Sequence, residues 1–435
     1  MWSLVARSKL WWGLAAIFLI GVLTSPVSSK GNNIFLSYGN LLDVLRQVSI
    51  TGLIATGMTA VILTAGIDLS VGSIMALCSV VCAMLLTVPG WTPAAAMGVP
   101  ALALTALVVF AALTRFLFRS MAATGSVGRR DERRLDMTRG TLLPLAAGAA
   151  AAALVLWFTI PQVATKFGVL GVLLVTPAVG LLFGAINGIV IVGGRLQPFI
   201  VTLAMMVTAL GLARLTAGQN NAVLPVYTGS NAVAGFDVLR SLVWGIVPVP
   251  GLFFLAAVVI YGAVLRFTSF GRYLYAIGGN EEAARLSGID VNGTKIVTYA
   301  VQGMLAGVAA VLFVAQYRQG KPDAGTGLEL DAIAAVVIGG TSLMGGRGSI
   351  AGTFAGVLIF GLLSNLLQLH NINSNLQLVL KGLIIVGTVL LQERNLGEIL
   401  GNLRLNRARG DPATREPPEG ETEPRRYGGS ANETS

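Results

Sequence analysis

Apolar residues in this chain gather into long runs broken by short polar stretches. The runs fall at Leu10–Thr24, Val48–Ala65, Val71–Val88, Pro93–Phe118, Thr141–Ile160 and Phe167–Val192, then at Pro198–Ala217, Val247–Phe267, Ile296–Tyr317, Leu330–Met344, Ile350–Leu369 and Leu376–Leu391. A helix needs about 20 consecutive apolar residues to cross a bilayer, so the pattern predicts roughly 10 to 12 crossings or part-crossings, some of them broken. The expected fold is all-α, a polytopic transmembrane helical bundle forming one domain over residues 1–392.

Composition removes the soluble alternative. With 54% apolar and 11% charged residues and a mean hydropathy of +0.76, a water-soluble fold would leave large greasy patches facing solvent. The tail 393–435 differs: seven Arg stand against eight Asp or Glu, with Pro412, Pro417, Pro418 and Pro424 and little apolar content. It is expected to be disordered and cytoplasmic.

Charge sets the expected orientation. Arg7 and Lys9 precede the first run, and Arg115, Arg119, Arg129, Arg130, Arg133, Arg134 and Arg139 outnumber Asp131, Glu132 and Asp136 between the fourth and fifth. Basic loops stay on the cytoplasmic side, so both termini, the arginine-rich loop 119–140 and the segment 270–295 are expected inside. The first run could be read as a cleaved signal, but no A-x-A-like site follows it and an uncleaved anchor is expected. The net charge of +10 follows from the same loop bias, without the aromatic interleaving that nucleic-acid binding would need.

Bond chemistry is poorly supported. His370 is the only histidine, which excludes a two-histidine zinc motif, and it reads as a helix-end residue. Cys78 and Cys82, four apart in an apolar run, read as small core residues, so neither metal nor cofactor is expected. No G-x-S-x-G elbow occurs, and the only Gly-Lys pair, Gly320-Lys321, runs into Pro322 without the spacing of a phosphate cradle.

Two sets of residues stand out. Between two runs, Asn280 is placed to cap a short helix whose first turn holds Glu281 and Glu282, whose body includes Ala283 and Ala284, and which Gly288 stops. That helix reads either as a docking knob for a cytoplasmic partner or as a structural loop helix. The second set is polar and lies within or at the edge of apolar runs: Asp68, Ser70, Asn187, Gln197, Thr202, Asn365 and Gln377, with Glu329 and Asp331 opening a run. Such groups either cap broken helices or line a wet pathway. Gly348, Gly352 and Gly356, and Gly303 with Gly307, form small-residue ridges that suit close helix packing, by default within one chain.

Glu282-Ala283-Ala284-x-x-x-Gly288 resembles the coupling loop of bacterial ABC importer permeases, the segment that docks into the ATPase subunit. The stretch Gly278–Ile289 is similar to the ribose/xylose/arabinose branch of that family. So are A-G-I-D-L-S-V-G-S at Ala65–Ser73, Asn187-Gly188, Q-P-F-I-V-T-L at Gln197–Leu203, and Glu329–Gly346. The resemblance implies a permease working as a homodimer in the bacterial inner membrane. It further implies a separate ATP-binding subunit docked at Asn280–Gly288 and an extracytoplasmic sugar-binding protein delivering a monosaccharide. About seventy residues between Gly72 and Gly184 look additional to the compact family pattern, and the I-x-L-P ending of other coupling loops is missing after Gly288. The rival readings are a permease for another small solute, an ion-coupled secondary transporter and, third, a membrane enzyme.

Overall fold

The computed structural model describes residues 2–87, 168–218 and 222–393, with isolated positions at 148, 150 and 152. The run Pro93–Phe118, nearly all of Thr141–Ile160, the loop 119–140 and the tail beyond Glu393 lie outside the described residues. The chain divides into a unit Met1–Thr388 and a unit Val389–Ser435, and the helix bundle is the first.

Apolar runs become helices because a backbone in lipid must satisfy its own hydrogen bonds. In chain order these are α1 (Trp2–Thr24), α2 (Tyr38–Leu63), α3 (Val71–Thr87), α4 (Val169–Gly194) and α5 (Pro198–Ala217). They continue with α6 (Val249–Phe267), α7 (Ser269–Gly279), α8 (Glu281–Leu286), α9 (Val291–Tyr317), α10 (Leu328–Ile338), α11 (Ile350–Leu369) and α12 (Ser374–Glu393). Among the described residues six, namely α2, α4, α5, α6, α9 and α11, are long and apolar enough to cross a membrane. A polytopic helical bundle is thus what the chain forms. Short antiparallel ladders join Leu224–Pro225 to Gln319–Gly320 and Leu242–Val243 to Val247–Pro248, and a 3₁₀ helix spans Ala234–Arg240.

Helix ends follow local chemistry. Pro198 starts α5 at a position where its missing N–H is not needed, and Gly218 ends it with a φ of 88°. Ser349 caps α11 by accepting from the Gly352 N–H. Several boundaries differ from the sequence expectation, most of all at α1, α2 and α9, which reach back to Trp2, Tyr38 and Val291. Helix α2 starts at Tyr38, ten residues before the apolar run, because Ser37 caps it and its polar first turns are helical too. The run Leu330–Met344 is one of the part-crossings: α10 has 11 residues and ends at Ile338, and the glycine-rich stretch after it turns back into α11.

Helix α9 is the centre, packed on α4, α3 and α2. Its tightest partner is α4, where Gly303 and Gly307 meet Gly180, Gly184 and Pro177; a Cβ on any of these glycines would overlap the facing backbone. Gly352 and Gly356 of α11 meet Gly339 and Ala335 in the same way, so both anticipated ridges pack within the chain. Helix α2 is the least apolar of the six spanning candidates and the most buried. Its hydroxyls turn inward: Thr56 Oγ1 donates to the Gly52 carbonyl at 2.7 Å and Thr59 Oγ1 to the Ala55 carbonyl at 2.8 Å, while Gln302 Nε2 of α9 donates to the Ile54 carbonyl at 3.2 Å. Cys78 and Cys82 are free and buried.

Candidate functional site

The segment from α7 to α9 is assembled by caps. Thr268 opens α7 by accepting from the Gly271 N–H, and Asn280 both ends α7 and caps α8, its Oδ1 accepting from the Ala283 N–H at 2.9 Å. Glu281 and Glu282 occupy the first turn of α8, where the helix dipole favours acids. Glu281 is held from two sides, by Lys295 Nζ at 2.7 Å and Arg285 at 3.1 Å. Partial burial works to raise its carboxyl, but the hydrogen bond and charge of Lys295, helped by Arg285, outweigh it and hold the group below its ordinary value. Gly288 ends the turn at a φ of 85° with open space around it, so another residue there would be strained rather than crowded. Asp290 then caps α9 through the Gly293 N–H.

What α8 presents outward is a mixed surface. Ala284 is buried against Ile277 and Val291, leaving Glu282 71% exposed and Leu286 81% exposed. These two lie four residues apart and share one face of the helix. Leu286 was not anticipated, since a single exposed leucine is ordinary in sequence.

The inner end of this segment is wedged into the bundle. Gly278 of α7 lies so close to the Leu63 carbonyl, at the end of α2, that a Cβ there would overlap it and the Gly346 N–H. Gly346, from the turn between α10 and α11, donates its N–H to the Leu63 carbonyl at 3.0 Å. Tyr275 of α7 donates its hydroxyl to the Gly348 carbonyl at 3.0 Å. Three chain segments therefore meet with no side chain between them.

Just past Leu63 the chain leaves helix geometry, with Ala65 at a φ of 58°, and Asp68 and Ser70 restart it as α3. Asp68 Oδ1 accepts from the Ser70 N–H at 2.9 Å and the Ser70 hydroxyl at 2.6 Å. Asn187 of α4 donates to the same hydroxyl oxygen at 2.8 Å, and Thr202 of α5 donates to the Ile67 carbonyl at 3.2 Å. All four side chains are fully buried. Tyr299 of α9 closes the group, its hydroxyl lying against Gly66. Four of the anticipated polar residues thus form one clasp on the break between α2 and α3. Asp68 Oδ2, Asn187 Oδ1 and the Tyr299 hydroxyl have no hydrogen-bond partner among the described residues.

The remaining candidates lie elsewhere. Asn365 of α11 exchanges hydrogen bonds with Asn40 of α2, at 2.7 and 3.1 Å. Asp331 pairs with Lys381 of α12 at 2.8 Å, and the Lys381 ammonium also stands 5.2 Å over the Phe360 ring. Glu329 is half-buried, its carboxylate against Gly72. Gln377 donates to the Ile372 carbonyl at 2.8 Å, a local contact. Gln197 is exposed at the start of α5 and makes no side-chain cap there, so it does not join the clasp. His370 ends α11, its ring nitrogens 2.8 Å from the Leu366 carbonyl and 2.9 Å from that of Thr24.

Comparison with known proteins places this architecture. Residues 139–389 match the family described as the permease component of branched-chain amino acid transport systems. The ribose import permease protein RbsC of Escherichia coli strain K12 is 36% identical over 381 residues, covering 86% of this chain and 91% of the relative. RbsC of Bacillus subtilis strain 168 is 36% identical over 387 residues, covering 87% and 91%. The xylose transport system permease protein XylH of E. coli strain K12 is 34% identical over 368 residues, covering 81% and 84%. No solved structure matches the chain.

Proposed function

The chain belongs to the permease-component family of branched-chain amino acid transport systems, and on that premise we propose that it is the membrane-spanning subunit of an ABC importer moving a monosaccharide, a pentose such as ribose or xylose, into a bacterial cell. The observation that carries the substrate class is the likeness to ribose and xylose permeases along more than four-fifths of the chain.

In this reading the protein is multi-pass in the inner membrane with both termini cytoplasmic, and it works as a homodimer. ATP is hydrolysed by a separate subunit seated on α8, where Glu282 and Leu286 offer a charged and an apolar contact side by side. An extracytoplasmic sugar-binding protein delivers the substrate at the opposite end. A push on α8 reaches α7, and through Gly278 the end of α2 and the turn before α11. That places the Asp68 clasp directly behind the lever, where a small displacement changes how α2, α3, α4 and α5 are joined. Helix packing of this kind switches between discrete arrangements rather than bending continuously.

The test is reconstitution with its ATP-binding and sugar-binding partners. Wild-type chain is expected to import one pentose only with ATP, and the double variant Glu282→Lys, Gly288→Val to lose stimulation of ATP hydrolysis by the loaded binding protein while folding normally. Because the family is described by branched-chain amino acid transport, leucine belongs on the same substrate panel. Uptake of leucine in place of sugars would replace the substrate class, and uptake driven by an ion gradient without ATP would replace the mechanism.

A further inference from the structure

The chain between α9 and α10 does not return over the surface. Gly320 lies against the Ser79 carbonyl and the Ala83 side chain of α3. Ser79 then grips the next residue, its hydroxyl accepting from the Lys321 N–H at 3.2 Å and donating to the Lys321 carbonyl at 3.0 Å. Five residues on, Gly325 rests on the Gly72 backbone. At about 1.5 Å of rise per residue, the path from Ser79 to Gly72 follows α3 for roughly 10 Å. A run of turns at 322–327 therefore lies against the first half of a helix that is itself buried in the bundle.

Such backbone persists at membrane depth only where protein covers it or water bathes it. One side of this turn segment is covered: Gly320, Pro322 and Gly325 are buried. The other side is not, and it is polar. Asp323 is 49% exposed and pairs with Lys321, itself 40% exposed, at 3.2 Å, and Thr326 is exposed as well. A carboxylate and an ammonium at that depth are too costly to face acyl chains.

We propose that Lys321–Gly327 is a wall of the water-filled sugar path, with the Asp323 carboxylate and the Thr326 hydroxyl exchanging hydrogen bonds with sugar hydroxyls as they pass. This rests on the transport reading above for the identity of the solute, though not for the presence of water. A lysine-paired carboxylate accepts from two neighbouring hydroxyls of a neutral polyol without binding it as an ion pair would. The segment starts at the ladder with Leu224–Pro225 and ends where Glu329 meets Gly72, so it leads from the ladder toward the Asp68 clasp.

The experiment is single-cysteine labelling in the assembled transporter in native membranes, with Cys78 and Cys82 replaced by alanine. Thr326→Cys is expected to react with a membrane-impermeant maleimide, severalfold more slowly when sugar-loaded binding protein is present. Leu203→Cys, on the exposed apolar face of α5, is expected to stay unlabelled. Alongside it, Asp323→Asn should lower the pentose uptake rate about tenfold, the size expected for losing a hydrogen bond to a charged group. If that variant accumulates poorly, Thr326→Val takes its place, with a smaller loss expected. Failure of the Thr326→Cys variant to react, reactivity indifferent to the loaded binding protein, or disulfide formation between two copies at this position in preference to labelling each overturn the proposal. Absence of ATP-driven pentose uptake in the wild type would instead overturn the transport reading, while the labelling would still report whether the turn segment faces water.

Discussion

The α4–α9 contact and the α7–α8 segment both depend on glycine, yet they are held by opposite means. Between α4 and α9 the glycines remove side chains so that two long apolar helices touch along their backbones, and the stabilising contacts are dispersion and burial. In the α7–α8 segment Gly288 serves only to reverse the chain, and what keeps it in shape is a set of caps and ion pairs around Asn280 and Glu281. The first region has no slack, because any added atom meets backbone. The second is wedged at Gly278, but around α8 it is held by replaceable polar contacts, each small and near solvent. A molecule that must transmit a push needs both, a body that does not yield and a handle that a partner can take hold of.

The sharpest way to break the comparison is Gly303→Val. Its side chain would enter the backbone of α4, and overpacking of this kind is expected to destabilise the bundle by about 3 kcal/mol or more. The thermal midpoint of the detergent-purified chain would fall steeply or the protein would not accumulate; an unchanged midpoint would mean that α4 and α9 are not in backbone contact. Asn280→Ala is the matching change in the handle. Loss of one cap is expected to cost about 1 kcal/mol, confined to α8, so faster amide exchange there with a nearly unchanged global midpoint is the expected result.

The smallest effect is a pH dependence of the same segment. The Glu281 carboxyl is held low in the folded chain, so its contribution is fully present above the ordinary glutamate value and fades as pH falls through the folded-state value. Protection of α8 amides should therefore weaken only under acid conditions, and Lys295→Met should remove most of that dependence. A segment equally labile in the variant and the wild type at neutral and acid pH would show the Glu281 contacts to be incidental.

How legible these regions were in the sequence differs as well. Helices α5 and α11 begin and end at the residues their apolar runs predict, since proline, glycine and serine mark those ends locally. The α8 cap was readable for the same reason, all its parts falling within nine residues. The α2 start was missed because Asp43, Arg46 and Gln47 interrupt hydrophobicity without interrupting the helix. Lys381 was passed over inside an apolar run, and its partner Asp331 stands fifty residues away. The Gly180-x-x-x-Gly184-x-x-x-Gly188 spacing was visible but reads as a ridge only beside Gly303 and Gly307. The meeting of Gly278, Leu63 and Gly346 has no linear signature at all, because Leu63 lies more than two hundred residues from the other two.

The inward hydroxyls of α2 bear on how the protein is made. This helix has the weakest preference for lipid among the six spanning candidates and depends most on being covered by its neighbours. One of those neighbours, α9, begins at Val291, whereas α2 is complete at Leu63. At about 5–20 residues per second, roughly 10 to 45 seconds of synthesis separate the two. Through that interval α2 stands in the membrane before Gln302 can reach the Ile54 carbonyl. The pace of assembly is therefore set by the arrival of α9 at the ribosome's exit, not by the insertion of α2.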